Sequence, residues 1–292
     1  MEEQRISIYE IQKTVIFWVK YLIAVALIIF AVVPFFWIVA TSFNPSRSLL
    51  GARLIPETLT INNYVDLLSN KNLNFSKWVF NSFKISAISV LIIVFLTCTS
   101  AYALSRFKFR GKQGVMMGIM ILNIFPGILA MIAIFIMMQQ IGNYFPFVGL
   151  NTHGGLICVY VAGSMSINVL MVKSYIDSIS QELDESARIE GASYWQVFWL
   201  IIFPVIRPMV ITVAILAFMS TYGDFIIANL LLKGNDKITV MVGIFQFTQQ
   251  RFDTNWGTVT AGTILAAIPV VVLFFSSQKY IIDGVMMGAI KE

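Results

Sequence analysis

Charged residues are scarce in this sequence: Asp, Glu, Lys and Arg together make up 12% of its 292 residues. Ordinary soluble domains carry about 25% charged residues, so the composition excludes a typical soluble protein. Hydrophobic residues instead account for 58% of the chain. A chain of this length and composition has room for one membrane domain with short connections, but not for an additional soluble catalytic domain.

Cysteine and histidine are also nearly absent, which narrows the chemistry that we expect. Cys98 and Cys158 both lie within apolar runs and predict no disulfide framework, and His153 is the only histidine. We therefore predict no catalytic residue, no metal site and no cofactor bound by this chain. Lys112 follows a glycine, but the Ser or Thr and the upstream glycine of a phosphate-binding loop are missing, so we expect no ATP to bind through this motif.

The chain has more basic than acidic residues, with a formal net charge of +5. The positions of the basic residues indicate what kind of partner they contact. The basic residues gather beside apolar segments, where such residues set the orientation of membrane spans. We therefore expect the partner of these residues to be a lipid bilayer and not a nucleic acid.

Long polar stretches are missing as well, because six apolar runs fill most of the chain. A helix needs about 20 apolar residues to cross the hydrocarbon core, and continuous apolar runs favour helices over the alternating strands of a barrel. The predicted fold is an all-α integral membrane protein with a single domain over residues 1–292. The predicted spans are 17–40, 82–104, 115–138, 154–173, 202–232 and 258–280.

The loops between these runs predict the orientation. Residues 105–114 contain four basic residues and no acidic one, whereas residues 139–153 contain no charged residue. Because basic loops stay on the cytoplasmic side, we expect both termini and the 173–200 connection in the cytoplasm, with the long loops 41–80 and 233–257 outside. Trp78 and Trp256 lie close to span ends and are expected to anchor the chain at the membrane interface.

One cytoplasmic segment is acidic: ELDESARIEGA at residues 182–192. Ser180 is a candidate N-cap and Gly191 supplies a break, so the pattern predicts a short helix within the segment 177–200. Helices that lie on lipid are usually basic, so this acidic helix is better suited to a cleft in a partner protein, although an amphipathic interfacial helix remains the alternative. An apolar stripe at helical spacing comprises Ile176, Ile179, Leu183 and Ala187.

The segment 185–192, followed by Pro204, resembles the EAA signature of permease subunits in ABC-type importers. The second alanine of that signature is Ala187 here, and Ser186 replaces the first, a small-for-small change. The resemblance implies a coupling helix, located between spans four and five, that docks into a cleft on a separate ATP-hydrolysing subunit. The residues that it assigns to coupling are Glu185, Ser186, Ala187, Glu190, Gly191 and Ala192.

Three further stretches, 142–155, 238–247 and 284–292, resemble the maltose/maltodextrin branch of that family. The resemblance implies a sugar importer with a second permease subunit, two ATP-binding subunits that carry ATP and Mg²⁺, and an extracellular sugar-binding protein that meets the loop 233–257. It also implies that the C-terminal tail contacts the ATP-binding subunits. The tail residues are Gly284, Gly288, Ala289 and Lys291.

Other functions remain as alternatives. Another oligosaccharide or a polyol is the alternative substrate of such an importer. A self-sufficient channel or secondary transporter is less favoured, because those proteins usually show several intramembrane charges or broken helices in matched halves. An intramembrane enzyme would need a nucleophile with its base, or a metal cluster, within the spans.

Five residues within the predicted spans are candidates for a sugar path. Asp224 is the only acid within a predicted span, a feature that points to function by default, either in the path or through pairing with a neighbour. Asn123 and Asn168 carry amides that pair with sugar hydroxyls, and Tyr160 and Tyr222 offer flat aromatic faces. The alternative for each polar residue is helix packing through interhelical hydrogen bonds.

Overall fold

The computed structural model describes residues 2–46, 56, 58–70, 73–124, 127–249 and 254–289, with side chains between residues 13 and 279. All regular secondary structure in these ranges is helical, which confirms the predicted fold class. Six helices there are long and apolar enough to cross a membrane, as the composition predicts. They are Lys13–Ser42, Phe75–Arg106, Gly127–Tyr144, His153–Asp177, Tyr194–Gly223 and Trp256–Lys279.

Twelve α-helices follow one another along the described parts of the chain. They are α1 (Glu2–Ser42), α2 (Asn62–Ser69), α3 (Phe75–Arg106), α4 (Lys112–Ile124), α5 (Met131–Tyr144), α6 (His153–Asp177), α7 (Glu182–Ile189), α8 (Tyr194–Gln196), α9 (Phe203–Gly223), α10 (Ile226–Leu231), α11 (Val240–Thr248) and α12 (Trp256–Ala289).

The chain divides into two compact units, Met1–Asn70 with Phe247–Leu265, and Lys71–Gln246 with Ala266–Glu292. In the first unit, α2 is fastened to the end of α1 by side-chain hydrogen bonds. The Asn63 amide donates to the carbonyl oxygens of Ser42 and Asn44, each at 2.9 Å. The hydroxyls of Ser42 and Tyr64 lie 2.7 Å apart.

The second unit is built on α3, α6 and α9, which pack on one another. Without a hydrophobic drive between helices in lipid, such packing depends on van der Waals contact and close fit. The core concentrates toward the C-terminal end of α3 and the N-terminal end of α9, which places it directly beside α7. Its fully buried members include Ala101, Val172, Ile176, Val197, Phe198, Ile202 and Ile206.

A π-helix, Val197–Ile202, joins α8 to α9. The N–H of Phe203 donates to the carbonyl oxygen of Phe198, five residues back instead of four. Pro204 has no N–H and cannot supply the next i→i−4 hydrogen bond. The wide turn lies just before the proline, near the start of the candidate membrane helix Tyr194–Gly223.

The connection between α10 and α11 is anchored on the N-terminal end of α3. Trp78 is only 2% exposed and its Nε1 donates to the carbonyl oxygen of Asn235 at 2.7 Å. A Cβ atom added at Gly243 would lie 2.1 Å from the Trp78 ring, so glycine is required there. The prediction that Trp78 anchors the chain at the membrane interface is therefore wrong, because its ring is buried in protein and is not exposed to lipid.

Two of the apolar runs are interrupted within the described residues. In 115–138, α4 ends at Ile124 and a 3-10 helix, Gly127–Ala130, precedes α5. In 202–232, α9 ends at Gly223 and α10 begins at Ile226. The Asp224 carboxylate accepts hydrogen bonds from the backbone N–H groups of Ile227 (3.4 Å) and Ala228 (2.9 Å), so it caps α10 as a side chain caps the start of any helix.

Candidate functional site

The acidic segment folds as the short helix α7, and a Schellman motif ends it. The N–H of Ala192 donates to the carbonyl oxygen of Ala187 at 3.0 Å, and the N–H of Gly191 donates to that of Arg188 at 3.1 Å. This pair of bonds requires a positive φ at the residue after the cap, and Gly191 has φ of +93°. Gly191 therefore supplies the break that the sequence predicts.

The start of α7 differs slightly from the prediction. The Ser180 hydroxyl accepts a hydrogen bond from the N–H of Glu182 at 3.2 Å, but the N-cap position belongs to Gln181, whose side chain makes no capping bond. The apolar stripe is also divided, because α6 ends at Asp177 and α7 begins at Glu182. Leu183 is exposed, and Asp184 takes the buried position beside it.

The inner face of α7 is held by polar side chains from the last turn of α3. Arg106 Nε lies 2.9 Å from Asp184 Oδ2, and the two side chains are 6% and 11% exposed. Arg106 Nη2 donates to the carbonyl oxygen of Ile179 at 3.0 Å, and the Tyr102 hydroxyl donates to Asp184 Oδ1 at 3.3 Å. Ala187 is buried one turn further along. The carboxylate is thus paired and hydrogen-bonded, as a buried charge requires.

A second contact ties α3 to the end of α6. The Ser105 hydroxyl donates to Asp177 Oδ1 at 2.6 Å. Lys173, one turn earlier on α6, forms an ion pair with the same carboxylate. The last turn of α3 therefore contacts the end of α6, the connection after it and the first turn of α7.

The outer face of α7 carries the remaining residues assigned to coupling. Glu185, Ser186, Glu190 and Gly191 are exposed, and Ala192 is half-buried. Ile189 is 87% exposed, which is unusual for so large an apolar side chain at the surface of a polar helix. The outer face thus combines carboxylates, small residues and one apolar side chain.

The residues after Gly191 form a second, aromatic part of this surface. Ser193 and Gln196 make a capping box that starts α8. The guanidinium of Arg188 lies 4.0 Å from the centre of the Tyr194 ring, and its Nη1 also donates to the Tyr194 hydroxyl. Tyr194 in turn meets Phe107 edge to face at 5.0 Å. The turn at Gly191 is therefore braced on both sides.

A separate groove of about 670 Å³ lies among α5, α6, the end of α9 and α10. Tyr160 and Asp224, two of the five path candidates, both line it, and the Tyr160 hydroxyl donates to Asp224 Oδ2 at 2.8 Å. The other polar lining residues are Ser164, Ser220 and Thr221, and eight of the nineteen lining residues are Ile or Met. The groove offers few polar groups and one aromatic ring.

The other three path candidates do not line this groove in the described part of the chain. Asn123 on α4 donates to the carbonyl oxygen of Ile119 at 2.9 Å and accepts from the Ser166 hydroxyl at 3.1 Å, which joins α4 to α6. Asn168 is buried on α6. Tyr222 is buried and stacked on Phe218 at 5.5 Å.

Comparison with known proteins decides the family. Residues 93–286 match the sequence model of the binding-protein-dependent transport system inner membrane component. The maltose/maltodextrin transport system permease protein MalG of Vibrio parahaemolyticus is 34% identical, with 94% of this chain and 95% of the relative covered. The galactooligosaccharides transport system permease protein GanQ of Bacillus subtilis is also 34% identical, with 93% and 94% covered.

The chain belongs to this family. The resemblance to ABC-type importer permeases is thereby confirmed. A binding-protein-dependent transport permease with six candidate membrane helices is a multi-pass protein of the cytoplasmic membrane. The fold agrees: a bacterial ABC transporter involved in the import of alginate has a chain that superposes with a TM-score of 0.78, at 23% identity, over 90% of this chain and 95% of that chain.

The C-terminal tail of the permease is described only in part. Gly284, Gly288 and Ala289 lie within the backbone of α12, which ends at Ala289, and Lys291 lies outside the described residues. In the predicted outer loop, α11 buries Val240 and Val242, whereas Phe245 is exposed and packs on Phe225 at 4.4 Å.

Sequence reasoning missed Arg106 as a site residue of the permease. In the sequence it belongs to the basic loop 105–114, which predicts orientation. Its ion pair spans 78 positions of sequence, so no local pattern shows it. The one local signal is Asp184, an acid three residues before Ala187 and therefore on the same helix face as this member of the predicted stripe.

Proposed function

We propose that this chain is the permease subunit of an ATP-driven oligosaccharide importer that receives its substrate from a binding protein. The observation that carries the proposal is the position of α7. Its inner face is held by α3, while Glu185, Ser186 and Ile189 are exposed on its outer face. Such a surface fits a cleft in a partner protein, and the family membership makes an ATP-binding subunit the best candidate.

The same geometry supports the proposed orientation. The Arg106–Asp184 pair brings the basic loop 105–114 and the acidic segment to one end of the second unit. We assign that end, with both termini, to the cytoplasm, because basic loops stay on that side. An acidic helix there would meet a partner protein more favourably than anionic lipid.

The proposed assembly contains this chain, a second permease subunit and two ATP-binding subunits, with a sugar-binding protein outside. ATP and Mg²⁺ would be bound on the ATP-binding subunits, so this chain would perform no catalysis itself. Closure of those subunits would move α7, and the permease pair would turn its cavity from one side of the membrane to the other. The tail beyond residue 284 would reach the ATP-binding subunits, and the loop 233–257 would meet the binding protein.

Maltose and maltodextrins are the proposed substrates, and galactooligosaccharides are the alternative. Both follow from relatives that are equally similar to this chain. The groove beside Tyr160 and Asp224 is the proposed part of the path. Its few polar groups would bind sugar weakly, which leaves the choice of sugar to the binding protein or to the second permease subunit.

The proposal is tested by purifying the complete complex and reconstituting it in vesicles with its binding protein. We expect the ATP-binding subunits to co-purify with this chain, and labelled maltose or maltodextrin to enter only when ATP is hydrolysed. Galactooligosaccharides are assayed in parallel to decide between the two substrate classes. Uptake without ATP-binding subunits would indicate a self-sufficient channel or secondary transporter and would contradict the proposal.

The contribution of α7 is tested by Glu185→Lys. Placing like charges together across an interface costs several kcal/mol, so we expect co-purification or coupled transport to fall by about tenfold or more. Asp66→Lys is the matched control, because it makes the same charge change at an exposed position of α2. Equal effects of the two variants would mean that the charge of Glu185 has no specific role in docking.

A further inference from the structure

The Arg106–Asp184 pair has a geometry that simple stabilisation does not require. A buried ion pair contributes little net stability, because desolvation of both charges offsets their attraction, and apolar residues of similar volume commonly serve as well. Such a pair does fix the relative orientation of the groups that it joins. Arg106 Nε donates to Asp184 Oδ2 at 2.9 Å, and Arg106 Nη2 donates to the carbonyl oxygen of Ile179 at 3.0 Å. Both contacts are fixed by the planar fork of one guanidinium.

Helix α7 needs such a fixed contact. It has eight residues, little more than two turns, and a helix of that length is marginal unless tertiary contacts hold it. Its inner face offers only Asp184 and Ala187 as buried residues, and alanine packs without specifying a rotation. The ion pair therefore sets which residues of α7 face outward.

The other end of the contact is a long, continuous helix. Arg106 and Tyr102 occupy the last turn of α3, which runs unbroken from Phe75 to Arg106. On the other side, α7 is joined to α9 through the Gly191 turn and packs on the π-helix Val197–Ile202. A displacement of α7 thus reaches α3 through a directional polar contact with a continuous helix, and reaches α9 through packing on an irregular turn.

We propose that the Arg106–Asp184 pair transmits displacement of α7 to α3 and so couples ATP hydrolysis to transport. Arg106 and Asp184 are positioning residues, since neither is placed at a substrate or a nucleotide. The inference rests on the proposed function, because it assumes that α7 is the part that the ATP-binding subunit moves.

The test uses two variants and one control in the complete reconstituted complex. Asp184→Asn removes the charge with almost no change of shape, and Arg106→Met/Asp184→Leu replaces the pair with apolar residues that avoid a buried unpaired charge. Lys173→Met is the control, because it removes an ion pair between two residues of α6, while Asp177 keeps its hydrogen bond from Ser105 of α3. Sugar moved per ATP hydrolysed is measured together with subunit co-purification.

We expect both test variants to assemble and to hydrolyse ATP, but to move at least about fivefold less sugar per ATP, the lower end of typical coupling energies. Lys173→Met should keep the full ratio. An unchanged ratio in the apolar pair would overturn the proposal, since packing alone would then suffice. Loss of assembly in both test variants, with normal assembly of Lys173→Met, would also overturn it and leave the pair a role in folding only.

A second readout separates this inference from the proposed function. In a Cys158→Ser background, Ala187→Cys and Ser186→Cys report the buried and exposed faces of α7 by their labelling rates with a polar maleimide. We expect protection of Ala187→Cys to fall severalfold when Asp184→Asn is added. Unchanged protection would overturn the inference even if transport is confirmed. Loss of protection in a complex that carries no sugar would overturn the proposed function, and with it the role in coupling, while the positioning of α7 by the pair would stand.

Discussion

Replacing Gly191 by alanine should impair coupling through the backbone alone. A Cβ built at this residue meets no atom within 4 Å, but φ is +93°, a conformation that L-residues rarely adopt. Backbone strain of this kind costs about 1–3 kcal/mol. The population that keeps the Schellman turn should therefore fall by about 5- to 150-fold relative to competing turns.

A graded series at Gly191 tests that magnitude. Asparagine tolerates positive φ better than other residues with a side chain, and a β-branched residue tolerates it worst. Sugar moved per ATP in the reconstituted complex should therefore decrease in the order Gly, Asn, Ala, Val. The order follows φ tolerance and not side-chain volume, since asparagine is larger than alanine.

Gly111→Ala provides the matched control, because Gly111 also has a positive φ, of +91°, and an added Cβ there also meets no atom within 4 Å, but it lies in the loop between α3 and α4. It should lower stability by a similar amount and leave the ratio of sugar to ATP unchanged. Full coupling in both Gly191→Ala and Gly191→Val would refute the role of this turn. So would an asparagine variant that couples worse than the alanine variant.

Three further changes test the remaining proposals. Deletion of 284–292 should leave membrane insertion intact and reduce ATP-driven transport, whereas full transport would show that the tail does not act on the ATP-binding subunits. Replacing 244–253 with a Gly/Ser linker should preserve the complex and abolish stimulation of ATP hydrolysis by the binding protein; surviving stimulation would make the segment a mere connector. Tyr160→Phe keeps the ring and should keep the KM for sugar, while Tyr160→Leu should raise it, and a normal KM in the leucine variant would remove Tyr160 from the path.

The membrane character of the fold could be predicted because it depends on local composition. Apolar runs long enough to cross the bilayer are visible in any window of the sequence, and helix is the form that satisfies their backbone in lipid. Gly191 could be predicted for a similar reason, because glycine is the usual residue where a helix ends with positive φ. These features need no knowledge of distant residues.

The contacts of single polar residues could not be predicted in this way. Asp224 lies within an apolar run that predicts a continuous span, yet its carboxylate caps α10 and accepts a hydrogen bond from Tyr160, 64 positions away. Leu183 fits a helical stripe better than Asp184 does, but Arg106 supplies the partner that permits burial of the acid. In each case a tertiary partner overrode the local pattern.

The π-helix at Val197–Ile202 has a consequence for how this part of the chain tolerates changes of length. A π-turn holds one residue more than an α-turn, so deletion of a single residue there leaves an ordinary helix whose two ends keep their relative phase. The same deletion within α9 would rotate everything beyond it by about 100°, the angle of one residue in an α-helix, and would turn its packed face away from α3. Insertions and deletions accumulated during divergence should therefore gather in this turn, where the chain gains or loses a residue while both flanking surfaces stay where they are.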